Sequence, residues 1–342
     1  MRVQGLPILV LLFTAACSPA QGIYERGLDH SEQGEIDAAL AAFDEALAED
    51  PEFAAAYLER GQLHLDSGNE SAALADFEMA VQFDSDNPGA YANRGVVLAE
   101  QGEFEAAIAD FERAIDLDPE YARAYNNRGN TYRRMHRYEE AMQDFETAIE
   151  LDPEYARAYN NLGNMYQEID EVFLALENFN RAIELDNEYP LAHNKRGILY
   201  AAFGDLESAL ADFSRAIELD PGYADAYYNR ALAQERLGNI RFAIEDYTAT
   251  IEADPEYVHA YSNRGIIWAT VGELEDAIAD YTAAIEVDPE FAGAYLNRAL
   301  AYEDLGRREL ALADYERFVE LYPIQDQLRF MAEARVNLLR EE

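Results

Sequence analysis

The chain has 342 residues, of which 68 are Asp or Glu and 26 are Lys or Arg, for a net charge of −42 at neutral pH. Attraction to nucleic-acid phosphates needs a concentration of Lys and Arg, so this balance argues against nucleic acid as a partner. With 49% hydrophobic residues, 19 Gly, 11 Pro and a single Cys, the composition also excludes collagen-like and disordered classes and any internal disulfide framework.

Residues 1–16, MRVQGLPILVLLFTAA, place Arg2 ahead of an apolar run from Leu6 to Phe13. That run is too short to span a bilayer and has the length of a signal-peptide core. It leads into Phe13-Thr14-Ala15-Ala16-Cys17-Ser18, which resembles a bacterial lipobox, where a small residue precedes the Cys that becomes lipid-modified and amino-terminal after cleavage. Thr14 departs from the more usual Leu. Three readings fit: a lipoprotein signal with Cys17 as the lipid attachment site, an ordinary secretory signal cleaved near Ala16, and an uncleaved anchor. The only Cys falling directly after two Ala favours the first. The resemblance then implies a lipoprotein signal over 1–16, a lipid-anchored linker over 17–19, and attachment at the cell envelope. With Ser18 rather than Asp after the Cys, the outer membrane, periplasmic side, is favoured over the inner membrane. No other stretch is long and apolar enough to cross a bilayer.

Length alone predicts two or three domains, but an internal period replaces that expectation. Gly27, Gly61, Gly95, Gly129, Gly163, Gly197, Ala231, Gly265 and Ala299 are spaced by 34 residues without an insertion or deletion. Twelve residues after each comes Ala, from Ala39 to Ala311, and four further an aromatic, from Phe43 to Tyr315. Most copies close with Asp-Pro, as at Asp50-Pro51, Asp118-Pro119 and Asp288-Pro289. Within a copy, Tyr57, Gly61 and His64 share one helical face and Ala73, Phe77 and Ala80 another, predicting two amphipathic helices, A and B. The small residues let the two helices cross closely and the aromatic fills the space beside them.

Between the helices, Gly34, Gly68, Gly102, Gly204, Gly238, Gly272 and Gly306 occupy a turn where a left-handed conformation is predicted. His136 and Asp170 hold the same place in two copies, and both residue types tolerate positive φ. In two further copies Pro moves three places, so that Pro88 and Pro190 are predicted to open the next helix A. After Tyr322-Pro323, Leu328, Met331, Val336 and Leu339 keep helical spacing and predict a capping helix over Gln327 to Arg340.

The period and its small, aromatic and Pro positions resemble the tetratricopeptide repeat (TPR). The match covers residues 20–325. It implies an all-α fold, an α-α superhelical solenoid of nine 34-residue TPR helix pairs over 20–325 with a C-terminal capping helix over 326–342. It also implies a non-catalytic protein-protein interaction scaffold.

No nucleophile constellation, phosphate loop or paired metal motif is present, and no cofactor is implied. The five His are dispersed by the repeat period. Asp84-Ser85-Asp86-Asn87-Pro88-Gly89 matches a calcium loop only in part, since Pro88 replaces a ligand and Gly95 stands where the bidentate Glu belongs. Arg precedes the small residue in eight of nine copies and, except for Arg26 with Ala42, faces Asp on helix B, predicting a structural ion-pair ladder that includes Arg94–Asp110, Arg128–Asp144 and Arg230–Asp246. The copy that loses Arg, at Leu162, also has Asn178 in place of Asp.

In TPR superhelices helix A lines the inner groove, and two places before the small residue this chain has Asn93, Asn127, Asn161, Lys195, Asn229, Asn263 and Asn297. This resembles the asparagine ladder in the TPR region of O-GlcNAc transferase, which holds the backbone of an extended polypeptide. An amide carries both donors and an acceptor and pairs with a peptide bond whatever the side chains. The other reading of these residues is hydrogen bonding between helices. Residues 122–138 contain five Arg and no acid. Arg123, Asn126, Asn127, Asn130 and Arg134, followed by Arg157, Asn160, Asn161, Asn164, Asn194 and Lys195, predict a basic, amide-rich floor in repeats four to six. Asn130, Asn161 and Lys195 match the carboxylate clamp of co-chaperone TPR domains, while Asn126 and Leu191 depart from it. The expected partner is a protein or peptide, an extended segment with acidic or carboxyl-terminal character, held in the groove of repeats three to eight. The alternative is a structural or self-assembling repeat lipoprotein, with exposed Phe173 driving association.

Overall fold

The computed structural model describes residues 18–341; Cys17 and the leader lie outside the described residues. Among them are nineteen helices and no strand. The chain divides into two compact units, one ending at Met165 and one beginning at Tyr166. The first contains α1 (Pro19–Glu32), α2 (Ile36–Glu49), α3 (Ala54–Asp66), α4 (Glu70–Phe83), α5 (Pro88–Glu100), α6 (Phe104–Leu117), α7 (Ala122–Arg134), α8 (Tyr138–Leu151) and most of α9 (Ala156–Glu168). The second runs through α10 (Val172–Leu185), α11 (Pro190–Phe203), α12 (Leu206–Leu219), α13 (Ala224–Arg236), α14 (Ile240–Ala253), α15 (Val258–Val271), α16 (Leu274–Val287), α17 (Ala292–Asp304), α18 (Arg308–Leu321) and α19 (Gln327–Glu341). Odd-numbered helices up to α17 are helix A of a repeat and even-numbered ones helix B. The fold is an all-α solenoid of helix pairs, with α19 packed on α18.

The repeat residues act where the period placed them. The helix-B aromatics are fully or almost fully buried, from Phe43 to Tyr315. A Cβ added at Gly61 would come within 2.8 Å of the Phe77 ring, and at Gly95 within 2.8 Å of Phe111, so the glycine is what lets helix A lie on that ring. The turn residues His136 and Asp170 adopt φ of 58° and 64°, joining the turn glycines in the left-handed region. Pro88 and Pro190 stand at the first helical positions of α5 and α11, where a missing N–H costs nothing. The closing Asp has a local cause as well: the Oδ1 of Asp118, Asp152 and Asp254 accepts the backbone N–H two residues on, at 2.9–3.0 Å.

Arg and Asp join the two helices of a repeat. Seven times among the described residues, a guanidinium forks onto the helix-B carboxylate through Nε and Nη2 at 2.6–2.9 Å: Arg60–Asp76, Arg94–Asp110, Arg128–Asp144, Arg196–Asp212, Arg230–Asp246, Arg264–Asp280 and Arg298–Asp314. In Arg60, Arg196, Arg230, Arg264 and Arg298 the remaining Nη1 reaches back to helix B of the preceding repeat, to Asp44, Asn180, Ser214, Thr248 and Thr282 respectively. One Arg thus ties three helices. In the fifth repeat Leu162 is buried and the Asn178 amide donates to the Leu174 carbonyl at 2.8 Å. Arg26, whose repeat has Ala42 in place of Asp, pairs with exposed Glu45 instead.

Candidate functional site

Helix A of the third and fourth repeats brings together several of the polar residues singled out above. A cavity of about 260 Å³ in the first unit is lined by Val96, Ala99 and Glu100 of α5, Phe111 of α6, and Asn127, Asn130, Thr131, Arg133 and Arg134 of α7. Its wall is part apolar and part amide. Arg134 crosses it, with Nη1 3.3 Å from the Glu100 carboxylate and the guanidinium 5.0 Å from the centre of the Phe104 ring. Exposed ion pairs of this kind exchange readily for a ligand carboxylate. Arg123 and Arg157 are exposed near the start of α7 and α9. Burial raises the Tyr155 hydroxyl above its usual range while these two guanidinium groups pull it down, so both charges bear on one place.

The amides fall into two sets. Four are buried: Asn126, Asn160 and Asn194 are at most 3% exposed and Asn93 is 9% exposed, and they form the support of the helix-A face rather than its surface. Asn161, one place on from Asn160, donates its amide to Asn126 Oδ1 at 2.8 Å, across one repeat from α9 to α7. In the second unit Asn229 donates to Asn194 Oδ1 at 3.1 Å, while Asn194 donates to the Tyr223 hydroxyl. Asn263 donates to the hydroxyls of Tyr228 and Tyr247, and buried Asn93 to Gln62 Oε1. These five amides therefore cross from one helix A to a neighbouring element, which is the inter-helix role. Asn161 and Asn229, each making one such bond, keep a carbonyl and one N–H, Asn263 keeps its carbonyl, and all three are only half-buried. Asn127, Asn130, Asn164, Lys195 and Asn297 are half-buried as well. Asn160 is different: it is fully enclosed, and neither amide atom has a hydrogen-bond partner among the described residues.

Helix A changes character along the chain. One place after the small residue, the fourth and fifth repeats have Asn130 and Asn164, whereas the sixth to ninth have Ile198, Leu232, Ile266 and Leu300. Ile266 and Leu300 are 43% and 39% exposed. Glu235, on α13 with Leu232, and Glu303, on α17 with Leu300, accept from the helix-B phenols, Tyr247 at 3.1 Å and Tyr315 at 2.7 Å. Burial raises Glu235 above the usual carboxylate range. At this one position helix A is therefore amide in the fourth and fifth repeats and apolar from the sixth on, while the amide row two places before the small residue continues into the second unit at Asn229, Asn263 and Asn297. Sequence reasoning centred on Asn and Arg missed Glu100, which sits one period before Arg134, and the Ile/Leu row, which the same register displays.

Among the described residues, no group of three or more His, Cys, Asp or Glu is arranged to hold a metal ion, and no helix is long and apolar enough to cross a membrane.

A run of equal helix hairpins, each burying one aromatic under the next helix, with polar side chains gathered on helix A, defines a helical-repeat interaction scaffold. Comparison with known proteins gives the family. Models of the tetratricopeptide repeat match residues 24–88 and 228–281, 122–155, 145–177 and 292–325, and a TPR-repeat model matches 97–136, 200–238 and 271–306. The chain belongs to the tetratricopeptide repeat family. Among solved structures it is similar to YrrB, described as a TPR protein with an unusual peptide-binding site, at 31% identity over 54% of this chain and 95% of that one, with a TM-score of 0.42. It is also similar to pilF of Pseudomonas aeruginosa, at 22% identity over 59% of this chain and 92% of that one, with a TM-score of 0.52. The APC/C hetero-tetramer Cut9-Hcn1 aligns over 94% of this chain and 76% of its own at 14% identity and a TM-score of 0.60. The last two likenesses show the fold alone. No curated protein matches the chain.

Proposed function

We propose that this TPR protein is a non-catalytic scaffold that holds an extended polypeptide, acidic or ending in a carboxylate, on the helix-A face of its first unit. TPR proteins in general are non-catalytic interaction scaffolds, and the observation that carries the finer reading is the cavity between α5 and α7. There Asn127 and Asn130 offer donors and acceptors to a peptide backbone, and Arg134, whose ion pair among the described residues is with exposed Glu100, offers a charge that a ligand carboxylate can take over. Exposed Arg123 and Arg157 add attraction in a chain that is otherwise acidic, so a ligand carboxylate has few competing sites. The leader supports placement at the bacterial cell envelope with a lipid on Cys17. A Cys17→Ser chain that still takes up labelled palmitate would remove that placement.

Binding is tested by titrating a fluorescent Gly/Ser/Glu peptide with a free carboxyl terminus into the full chain and into an Asn127→Ala, Arg134→Ala, Arg157→Ala variant. Loss of these contacts lowers affinity at least about tenfold and flattens its salt dependence. Equal affinity in the two proteins would sink the reading.

A further inference from the structure

Each helix A ends on one residue just ahead of the left-handed turn. In the first four repeats this residue is Gln33, Ser67, Gln101 or Met135. In the second unit it is Ile169, Phe203, Leu237, Val271 or Leu305, every one between 38% and 52% exposed. The turn that follows is left-handed each time, at Asp170, Gly204, Gly238, Gly272 and Gly306, so the five apolar residues occupy equivalent places. The first turn of helix B adds Phe173, 79% exposed, and Phe242, 55% exposed. Phe173 stacks on Phe203 with ring centres 5.7 Å apart and planes at 22°, which joins the apolar groups of successive repeats. Single exposed apolar residues are ordinary on a protein surface, but a row recurring in five successive repeats, and polar at three of the four preceding ones, is not scatter.

We infer that this helix A–helix B edge of the second unit is a docking surface, separate from the helix-A face, for an amphipathic helix of a partner protein whose apolar stripe is flanked by Lys or Arg. Charge selects that occupant. Asp170, Glu171, Asp205, Glu207, Glu273 and Asp304 border the row, and the three Arg beside it are engaged, Arg241 with Glu245, Arg307 with Glu275 and Arg236 with the Ala201 carbonyl, so the border is net acidic and a basic flank is complementary. A second copy of this chain would bring the same acidic border against itself, and an anionic lipid surface is repelled for the same reason. Apolar side chains offered at one place in each repeat suit the anchors of a helix laid along them.

The test uses the full chain and a designed Leu/Lys amphipathic helix. Two control peptides keep its length: one has Leu and Lys shuffled so that no apolar face forms, the other has Glu for Lys. The designed helix should bind at least about tenfold more tightly than either control, and a Phe203→Ser, Val271→Ser variant should lose about tenfold in affinity. Both substituted residues are half-exposed, and an unchanged circular-dichroism melting curve verifies the fold. Arg157→Ala should leave this binding intact, which separates the edge from the helix-A face. Equal binding of the shuffled peptide, or undiminished binding by the serine variant, would overturn the assignment. A dimer in sedimentation that dissociates in the serine variant would overturn it too, since the occupant would then be a second copy, and so would binding to phosphatidylglycerol vesicles that the variant abolishes.

Discussion

The two units are built from one repeat and present different chemistry on equivalent helices. In the first, helix A carries Asn130 and Asn164 one place after the small residue, with Arg123, Arg134 and Arg157; in the second the same place holds Ile198, Leu232, Ile266 and Leu300, with Glu235 and Glu303, while the amides two places before the small residue run through both, from Asn127 and Asn161 to Asn229, Asn263 and Asn297. The helix-B aromatic is Phe through the sixth repeat, up to Phe179 and Phe213 in the second unit, and Tyr247, Tyr281 and Tyr315 in the last three repeats. The packing positions barely change across this divide, because the close helix crossing tolerates only Gly or Ala. A repeat fold thus separates what holds the array together from what it offers a partner, and the second can vary while the first stays fixed.

The largest expected effect sets the fourth repeat against the fifth. Arg128→Leu leaves Asp144, whose side chain is 6% exposed, without its partner, and should destabilise the first unit by about 3–5 kcal/mol. Arg128→Leu with Asp144→Asn recreates the Leu162/Asn178 arrangement of the fifth repeat and should recover most of that loss. Urea denaturation of the two variants and the parent measures both. A double variant no more stable than the single one would mean that the fork is not a coupled pair.

The aromatic exchange predicts a difference in alkali. Burial pushes the Tyr281 hydroxyl up to about 12, so between pH ~10 and this value the unfolded chain ionises while the folded one does not. Stability is full below the unfolded value and falls as pH rises, by on the order of 2 kcal/mol for this one group. Tyr281→Phe should remove that part of the alkaline loss, read as a melting temperature against pH, whereas the parent keeps it. A variant that tracks the parent from pH 9 to 12 would place the titration elsewhere.

Asn160 gives an effect of opposite sign. Its enclosed amide has no partner, and the same register position in the ninth repeat is buried Leu296. Asn160→Leu should therefore stabilise the chain by about 1–2 kcal/mol; a loss of stability would show that the amide is satisfied in solution. Acid gives the smallest expected effect. Burial opposes the charged form of Asp212, yet hydrogen bonds from Arg196 and His193 hold its carboxyl below the ordinary range. Its contribution is complete above the unfolded carboxylate value of about 3.9 and is lost as pH falls through the lower folded value. Asp212→Asn should melt with a shallower dependence on pH below ~4 than the parent.

The nine helix pairs, the turn geometry and the cap were legible in the sequence because each rests on a local steric requirement: no Cβ at the crossing, positive φ at the turn, Pro only at a helix start. His136 and Asp170 show how far this extends, since departures from Gly kept to the residue types the turn admits. The site was less legible. Asn126 and Asn127 differ by one position, a rotation of about 100°, and that separates a buried support from a half-exposed wall. Whether Asn161 spends an N–H on Asn126 depends on the rise from one helix A to the next, which the period does not encode. Glu100 and the apolar edge were readable in register but belong to residue types that composition alone leaves unremarked.

The central claim is that the amide and Arg face of the first unit, rather than the apolar face of the second, takes the extended acidic segment. Hydrogen–deuterium exchange of the full chain with and without the Gly/Ser/Glu peptide tests it most directly. Slowed exchange concentrated in α7 and in α9 up to Met165, abolished by the Asn127, Arg134 and Arg157 substitutions, is the predicted result; slowed exchange in α13, α15 and α17 instead would contradict it.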